Sequence, residues 1–313
     1  MLSNKVPSYP YIRLDYKPLK WLNFNYTHAW LNSNIADSSL SYFTNTGRIE
    51  NDFRLVFVQK YIATHSIEVQ AMKGLNIAIG ESIVYSDKMD PGFLIPINLF
   101  KFYDNNRSNY LIEAGSNGQY FLSLSSRNQI KNTHLYSTLF IDEIKVSSMF
   151  NKTERRNQLG YNLGGSITDV FIPYLSLGVE YTRVNPFVYS NLIPAQTYTS
   201  YNYSLGDWMG NNFDRAIIFA KYTPIAKLKF VTRYQKIRKG GLGSIYEQYA
   251  AQPQPSFLFD YIKNRSDIFF QARYEYINNI YLTSSITLMR TKLANGNVLK
   301  DNTYQLGISV GLP

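Results

Sequence analysis

Few side chains in this sequence could do covalent chemistry. The three histidines, His28, His65 and His134, lie far apart, each within a stretch that alternates like a strand. No His-x-x-x-His, Gly-x-Ser-x-Gly or phosphate-loop spacing is present. The chain has no cysteine, which removes thiolate chemistry and disulfides and says little about compartment. Asp142 and Glu143 are neighbours in a strand-like stretch, so they point to opposite faces and do not act as a paired acid and base. A Ser-His-Asp set drawn from separate strands is the one catalytic route left, but His28 follows the apolar parity of its strand and is expected at the membrane interface. The expectation is a non-enzyme with no metal and no cofactor.

Chemistry suited to recognition is more abundant. The stretch from Phe187 to Asp214 supplies Tyr189, Tyr198, Tyr201, Tyr203 and Trp208 beside Asp207, Asn211, Asn212 and Asp214. The stretch from Asp87 to Asn106 supplies Phe93, Phe100, Phe102, Tyr103 and Asp104. Flat aromatic faces and planar amide or carboxylate groups suit sugar C–H surfaces and paired hydroxyls. The alternative is that the two stretches fold onto each other and their aromatics form a small core. A second set, Arg13, Glu180, Lys227, Lys229, Arg233, Arg273 and Glu275, occupies the polar positions of alternating segments.

The elements that position these groups follow from the period. Across 313 residues apolar side chains recur at every second position. Leu22, Phe24, Tyr26 and Trp30 oppose Asn23, Asn25 and Thr27, and Tyr304, Leu306, Ile308 and Val310 oppose Gln305, Gly307 and Ser309. This is the pattern of strands with one apolar and one wet face. We read about thirteen strands, near 8–17, 20–31, 56–70, 74–86, 108–127, 132–146, 158–168, 173–185, 214–223, 226–238, 264–277, 279–291 and 302–312. They run to about 9–13 residues, longer than the usual globular strand and matched to a tilted bilayer crossing. Aromatics gather near segment ends (Trp21, Trp30, Tyr181, Tyr274), as in interfacial girdles. No apolar run is long enough for a membrane helix.

Connections alternate between tight (Pro18-Leu19, Lys73-Gly74, Asn278-Asn279) and long (33–51, 88–107). A membrane barrel has short turns on one side and long loops on the other, whereas a soluble sandwich has no reason to keep that parity. The reading requires residues 110–126 to form one strand passing through Gly115 to Gly118. A hairpin at Ser116-Asn117-Gly118 would break the alternation. The fold class expected is all-β, a transmembrane antiparallel barrel, with 1–313 a single domain. Pro91-Gly92 reads as a turn, and Pro96–Phe102 as a short helix laid over the barrel mouth. The charged set then faces the lumen, either as a salt-bridged interior or as a cationic path for an acidic polysaccharide. Nucleic-acid binding is discounted, because the aromatics lie on the opposite parity from the basic residues, despite a net charge of +10.

Counting back from a C-terminus in the periplasm, the first strand begins outside, whereas a closed bacterial barrel starts inside with an even strand number. The N-terminal stretch MLSNKVPSYP is not a signal peptide. The expectation is a C-terminal part, with a signal peptide and N-terminal strands upstream.

Four stretches carry a family resemblance: VYSDKMDPGFLIPINLF (84–100), LFIDEIKV (139–146), VEYTRVNPFVYSN (179–191) and YTSYNYSLGDWMGNNFDR (198–215). In order and spacing they resemble the capsule assembly Wzi-like outer-membrane proteins, over about 61–222. The resemblance implies a barrel of about eighteen strands, a place in the bacterial outer membrane, and non-enzymatic attachment of capsular or surface polysaccharide. Its implied partners are polysaccharide and outer-membrane lipid, with a monomer expected. Related barrels occur among gliding-motility surface proteins, so a motility or secretion component in contact with other surface proteins is one alternative and a diffusion channel another. The chain departs from usual outer-membrane practice in ending Val310-Gly311-Leu312-Pro313, without a terminal aromatic.

Overall fold

The computed structural model describes residues 5–44, 52–111, 115–143 and 157–311. Thirteen strands form one antiparallel sheet in which each pairs with its neighbours along the chain. They are β1 (Tyr11–Leu19), β2 (Leu22–Ala36), β5 (Phe57–Met72), β6 (Leu75–Ser86), β7 (Asn117–Arg127), β8 (Thr133–Glu143) and β9 (Gln158–Thr168). The sheet continues through β10 (Leu175–Val184), β13 (Phe213–Ile225), β14 (Leu228–Lys239), β15 (Lys263–Ile277), β16 (Ile280–Leu293) and β17 (Val298–Val310). Two short hairpins, β3 (Tyr42–Thr44) with β4 (Asp52–Arg54) and β11 (Thr199–Ser200) with β12 (Tyr203–Ser204), sit in connections. β1 and β17 are the sheet edges and do not pair with each other.

Turns at one end are short. Residues 20–21, 73–74, 226–227 and 278–279 suffice for four of them. Gly74 shows what such a turn demands: its φ is +83°, and a Cβ there would come within 2.2 Å of the Arg127 carbonyl, so only glycine fits. Most connections at the other end are long: 37–56, 87–116, 144–157, 185–212 and 240–262. That makes it the outer end of the barrel.

Register divides the wall into two faces, since directly paired residues share a side and successive residues alternate. Ala29 pairs with Ile62, and Ile62 with Val84. These join Phe140, Val184 and Phe213 in one cluster with Val188, Tyr189, Tyr198 and Leu205. One connection touching strands from β2 round to β13 requires a concave surface, so this is the inner face. The neighbouring positions His28, Ala63 and Ile83 therefore face outward. There they meet a second cluster with Tyr26, Tyr61, Tyr85, Phe93 and Phe100.

Four sequence expectations are corrected here. Residues 108–111 are not strand: helix α1 runs from Phe100 to Leu111, and β7 begins only at Asn117. Parity survives because no hairpin forms at Ser116–Gly118. Nor does the β6–β7 segment lie over the mouth. It packs on the outward face of β5 and β6, where Glu81 supplies the reason. The Glu81 carboxylate accepts the Phe100 N–H through one oxygen and the Lys101 N–H through the other (3.4 Å), with His65 Nε2 3.3 Å away. An anion at a helix N-terminus satisfies two amides that have no intrahelical partner. The Phe100 ring then covers His65 at 4.4 Å, and Asp90 holds Tyr103 (3.0 Å) and Arg107. His28, expected at the membrane interface, is buried beneath this cover, 2.7 Å from the Tyr85 hydroxyl. The final strand begins at Val298, so its connection is 294–297 and short, unlike the other outer connections.

Replacing Glu81 with Ala should release α1 from the wall at a cost of about 2 kcal/mol. Amide exchange at Phe100 and Lys101 should rise while exchange in β14–β16 stays as in the parent, and equal protection in α1 would rule out the cap.

Candidate functional site

The connection 185–212 turns inward. Tyr189 and Tyr198 stack at 5.6 Å, and each also meets the ring of Phe140. Burying such aromatics stabilises the inserted loop by about 1.5–3 kcal/mol per side chain. Burial also pushes both phenols above their ordinary pKa, so they stay protonated. Polar anchors surround them. Asp142 Oδ2 accepts the Tyr189 N–H at 2.7 Å, Lys60 Nζ donates to the Thr197 carbonyl at 2.6 Å, and Asn117 donates to the Gln196 carbonyl at 2.9 Å. Arg215 joins Asp207 at 3.0 Å and approaches Glu180 at 3.8 Å.

These contacts sort the residues expected to meet a glycan. Phe93, Tyr189, Tyr198, Asn211 and Asp214 are buried. Asp207 is held by Arg215, and Asp214 by Arg238 and by the Tyr181 hydroxyl at 3.1 Å. Tyr103 belongs to the outward cluster with Phe93, away from the loop 185–212. Tyr201, Tyr203 and Trp208 are exposed on the outer side at 46%, 53% and 41%. The pattern Gly-x-Asn-x-Asp (Gly210, Asn212, Asp214) closes loops. The Asn212 amide donates to the carbonyls of Gly241 (2.8 Å) and Phe259 (3.2 Å), and its oxygen accepts the Leu258 N–H (2.8 Å).

Two hollows open at this end. One, of about 380 Å³, is lined by Asn34, Thr199, Tyr201, Asn202, Ser204 and Asn211, among others. Asn34 donates to Asn202 at 3.2 Å and the Tyr201 N–H to the Asn32 carbonyl at 2.9 Å, so β2 fixes the hairpin β11–β12. On its walls the Ser204 Oγ and Asn211 Oδ1 are buried without a hydrogen-bond partner among the described residues. The other hollow, of about 490 Å³, lies between Arg183, Asn185 and the segment Pro253–Phe257. There the Arg183 guanidinium sits 3.7 Å from the Phe257 ring centroid. Sequence reading missed Asn34, Asn202, Arg183 and Phe257. Asn34 lies on β2 and Asn202 in the 185–212 connection, which meet only because that connection turns inward; Arg183 lies on β10 and Phe257 in the 240–262 segment that packs against it.

Within the wall, Arg13, Glu180, Lys229, Arg233, Arg273 and Glu275 fall on the inner face by register. Lys227 sits instead in the turn between β13 and β14. Several are paired: Arg13 with Asp15 (2.7 Å), Arg233 with Asp267 (3.7 Å), and Glu180 with the Tyr136 hydroxyl (2.7 Å). Arg273 lies over Tyr281 at 4.0 Å. Ser125 Oγ and His134 Nε2 approach to 3.0 Å. No carboxylate is hydrogen-bonded to that histidine among the described residues, so the pair is not a triad.

This is the architecture of an outer-membrane β-barrel. Among solved structures, the chain resembles Wzi of Escherichia coli, described as an outer-membrane carbohydrate-binding β-barrel involved in group 1 capsule assembly. The TM-score is 0.59 at 11% identity, over 96% of this chain and 60% of that one. It also matches OccAB4 of Acinetobacter baumannii (TM-score 0.49, 8% identity, 95% of this chain and 63% of that one). A third match is the outer-membrane channel DcaP of the same species (TM-score 0.46, 10% identity, 96% and 84%). The chain thus spans about three fifths of the length of Wzi. No family model matches it, and no curated protein matches it in sequence. The protein resides in the bacterial outer membrane, and the likeness to Wzi agrees with its fold.

Asn212→Ala should leave two carbonyls and one amide without their partner and cost about 3 kcal/mol. A lower temperature of heat-induced band shift in gel electrophoresis should report it, with Asn211→Ala as the milder comparison.

Proposed function

We propose that this protein holds a surface polysaccharide at the outer mouth, by binding and without covalent chemistry. The observation that carries the reading is the 380 Å³ hollow, where an exposed Tyr201 stands beside Asn34, Asn202 and the unpartnered polar atoms of Ser204 and Asn211. A buried polar atom without a partner costs about 1–3 kcal/mol. A sugar hydroxyl reaching Ser204 or Asn211 would recover that cost while the Tyr201 ring takes the C–H face. The likeness in fold to a carbohydrate-binding barrel agrees with this reading.

A diffusion channel fits less well, because Tyr189, Tyr198 and Leu205 fill the inner face where solute would pass. Nothing observed on this chain favours a motility or secretion component. In this reading the residues that meet the glycan are Asn34, Tyr201, Asn202, Ser204 and Asn211, with Tyr203 and Trp208 beside them on the outer side. Tyr189, Tyr198, Asp207 and Asp214 shape the mouth from beneath or behind, Phe93 and Tyr103 stand apart on the outward face, and the protein acts as a monomer.

Tyr201→Ala, combined with Asn202→Ala, should weaken retention of capsular polysaccharide by purified protein about tenfold. The heat-induced band shift should stay unchanged. Parent protein that retains no polysaccharide would remove the proposal.

A further inference from the structure

The lipid-facing side of β14–β17 is apolar over most of its height. Phe230, Tyr234, Ile268, Phe270, Leu282, Ile286, Leu288, Tyr304, Leu306 and Ile308 all fall on the outward parity. Near the outer end the same face changes character within one rung of the ladder. Lys236 pairs with Ser266, Ser266 with Arg290, and Arg290 with Lys300. On the next rung Arg238 pairs with Asn264 and Asn264 with Lys292. All five cations are exposed. Arg238 is held by Asp214, whereas Lys236, Arg290, Lys292 and Lys300 have no carboxylate partner among the described residues.

Like charges directly opposite on adjacent strands repel, and cations on the lipid face of a barrel are tolerated only near the interface. Two rungs of cations above an apolar wall therefore call for an anion that is itself anchored in the membrane. We propose that this belt binds the phosphorylated sugar headgroup of an outer-leaflet glycolipid, its acyl chains lying on the apolar rungs below. Arginine and lysine donors match phosphate oxygens. At the boundary a hollow of about 210 Å³, lined by Tyr234, Ser266, Ile268, Leu288, Arg290 and Lys300, has the mixed lining that a headgroup joined to acyl chains requires. The belt lies outside the wall and does not depend on the mouth binding a glycan.

The full chain purified in detergent, incubated with lipopolysaccharide and analysed for bound glycolipid by native mass spectrometry, tests the assignment. The triple variant Lys236→Gln/Arg290→Gln/Lys300→Gln should retain about tenfold less. Lys229→Gln/Arg273→Gln, which removes charge from the inner face, should retain as much as the parent. Lipopolysaccharide stripped of its phosphates should bind the parent about tenfold more weakly, an arm that needs no variant. The proposal is overturned if the dephosphorylated lipid binds equally well, if inner-face neutralisation lowers retention as much as the triple variant, or if a soluble acidic oligosaccharide displaces the lipid.

Discussion

A strand in a bilayer has one side for hydrocarbon and one for the interior, and a slip of one residue exchanges them. Every feature of this molecule rests on that alternation being kept through thirteen paired strands. In hydrocarbon the backbone must satisfy its own hydrogen bonds, so the ladder is not free to adjust, and the side chains have to fit the register the ladder imposes. Apparent exceptions show the rule at work. Glu81 falls on the outward parity, where an exposed carboxylate would be costly, and it is tolerated because α1 places two backbone amides on it and Phe100 over its histidine neighbour.

Two long connections rich in aromatic residues go opposite ways from the same rim. The 185–212 connection enters the concave side and is held by Asp142, Lys60 and Asn117. The 87–116 connection descends the convex side. Both use rings as filling and charged or amide groups as anchors, so composition alone does not distinguish a plug from an outer cover. What separates them is which parity of β5 and β6 each one meets: Ile62 and Val84 for the first, Ala63 and Ile83 for the second.

This explains what the sequence could and could not disclose. Strand number and most strand positions were legible because a period of two over long segments leaves little freedom; β9 lies where the alternation places it. Residues 108–111 were not legible as helix. Their helical state depends on Glu81, nineteen residues upstream of Phe100, and no local pattern records that contact. The Tyr-rich loop was legible as a long outer connection. The partition of its rings was not, because Tyr198 and Tyr201 differ in exposure only through the strands they meet. The lining of the candidate hollow was half visible: Tyr201 stood out by type, while Asn34 joined it through a contact spanning most of the chain.

The external path of 87–116 gives the molecule an uneven outline in the plane of the membrane. A neighbouring barrel approaching over β5 and β6 meets a helix and a bend of chain with Ile97, Leu99 and Phe102 exposed, and so stands off from the wall. One approaching over β14–β17 meets bare strands topped by positive charge. Crowding in a dense bilayer would therefore act differently on the two flanks and give the protein a preferred heading among its neighbours, although the wall itself is built from one repeating unit.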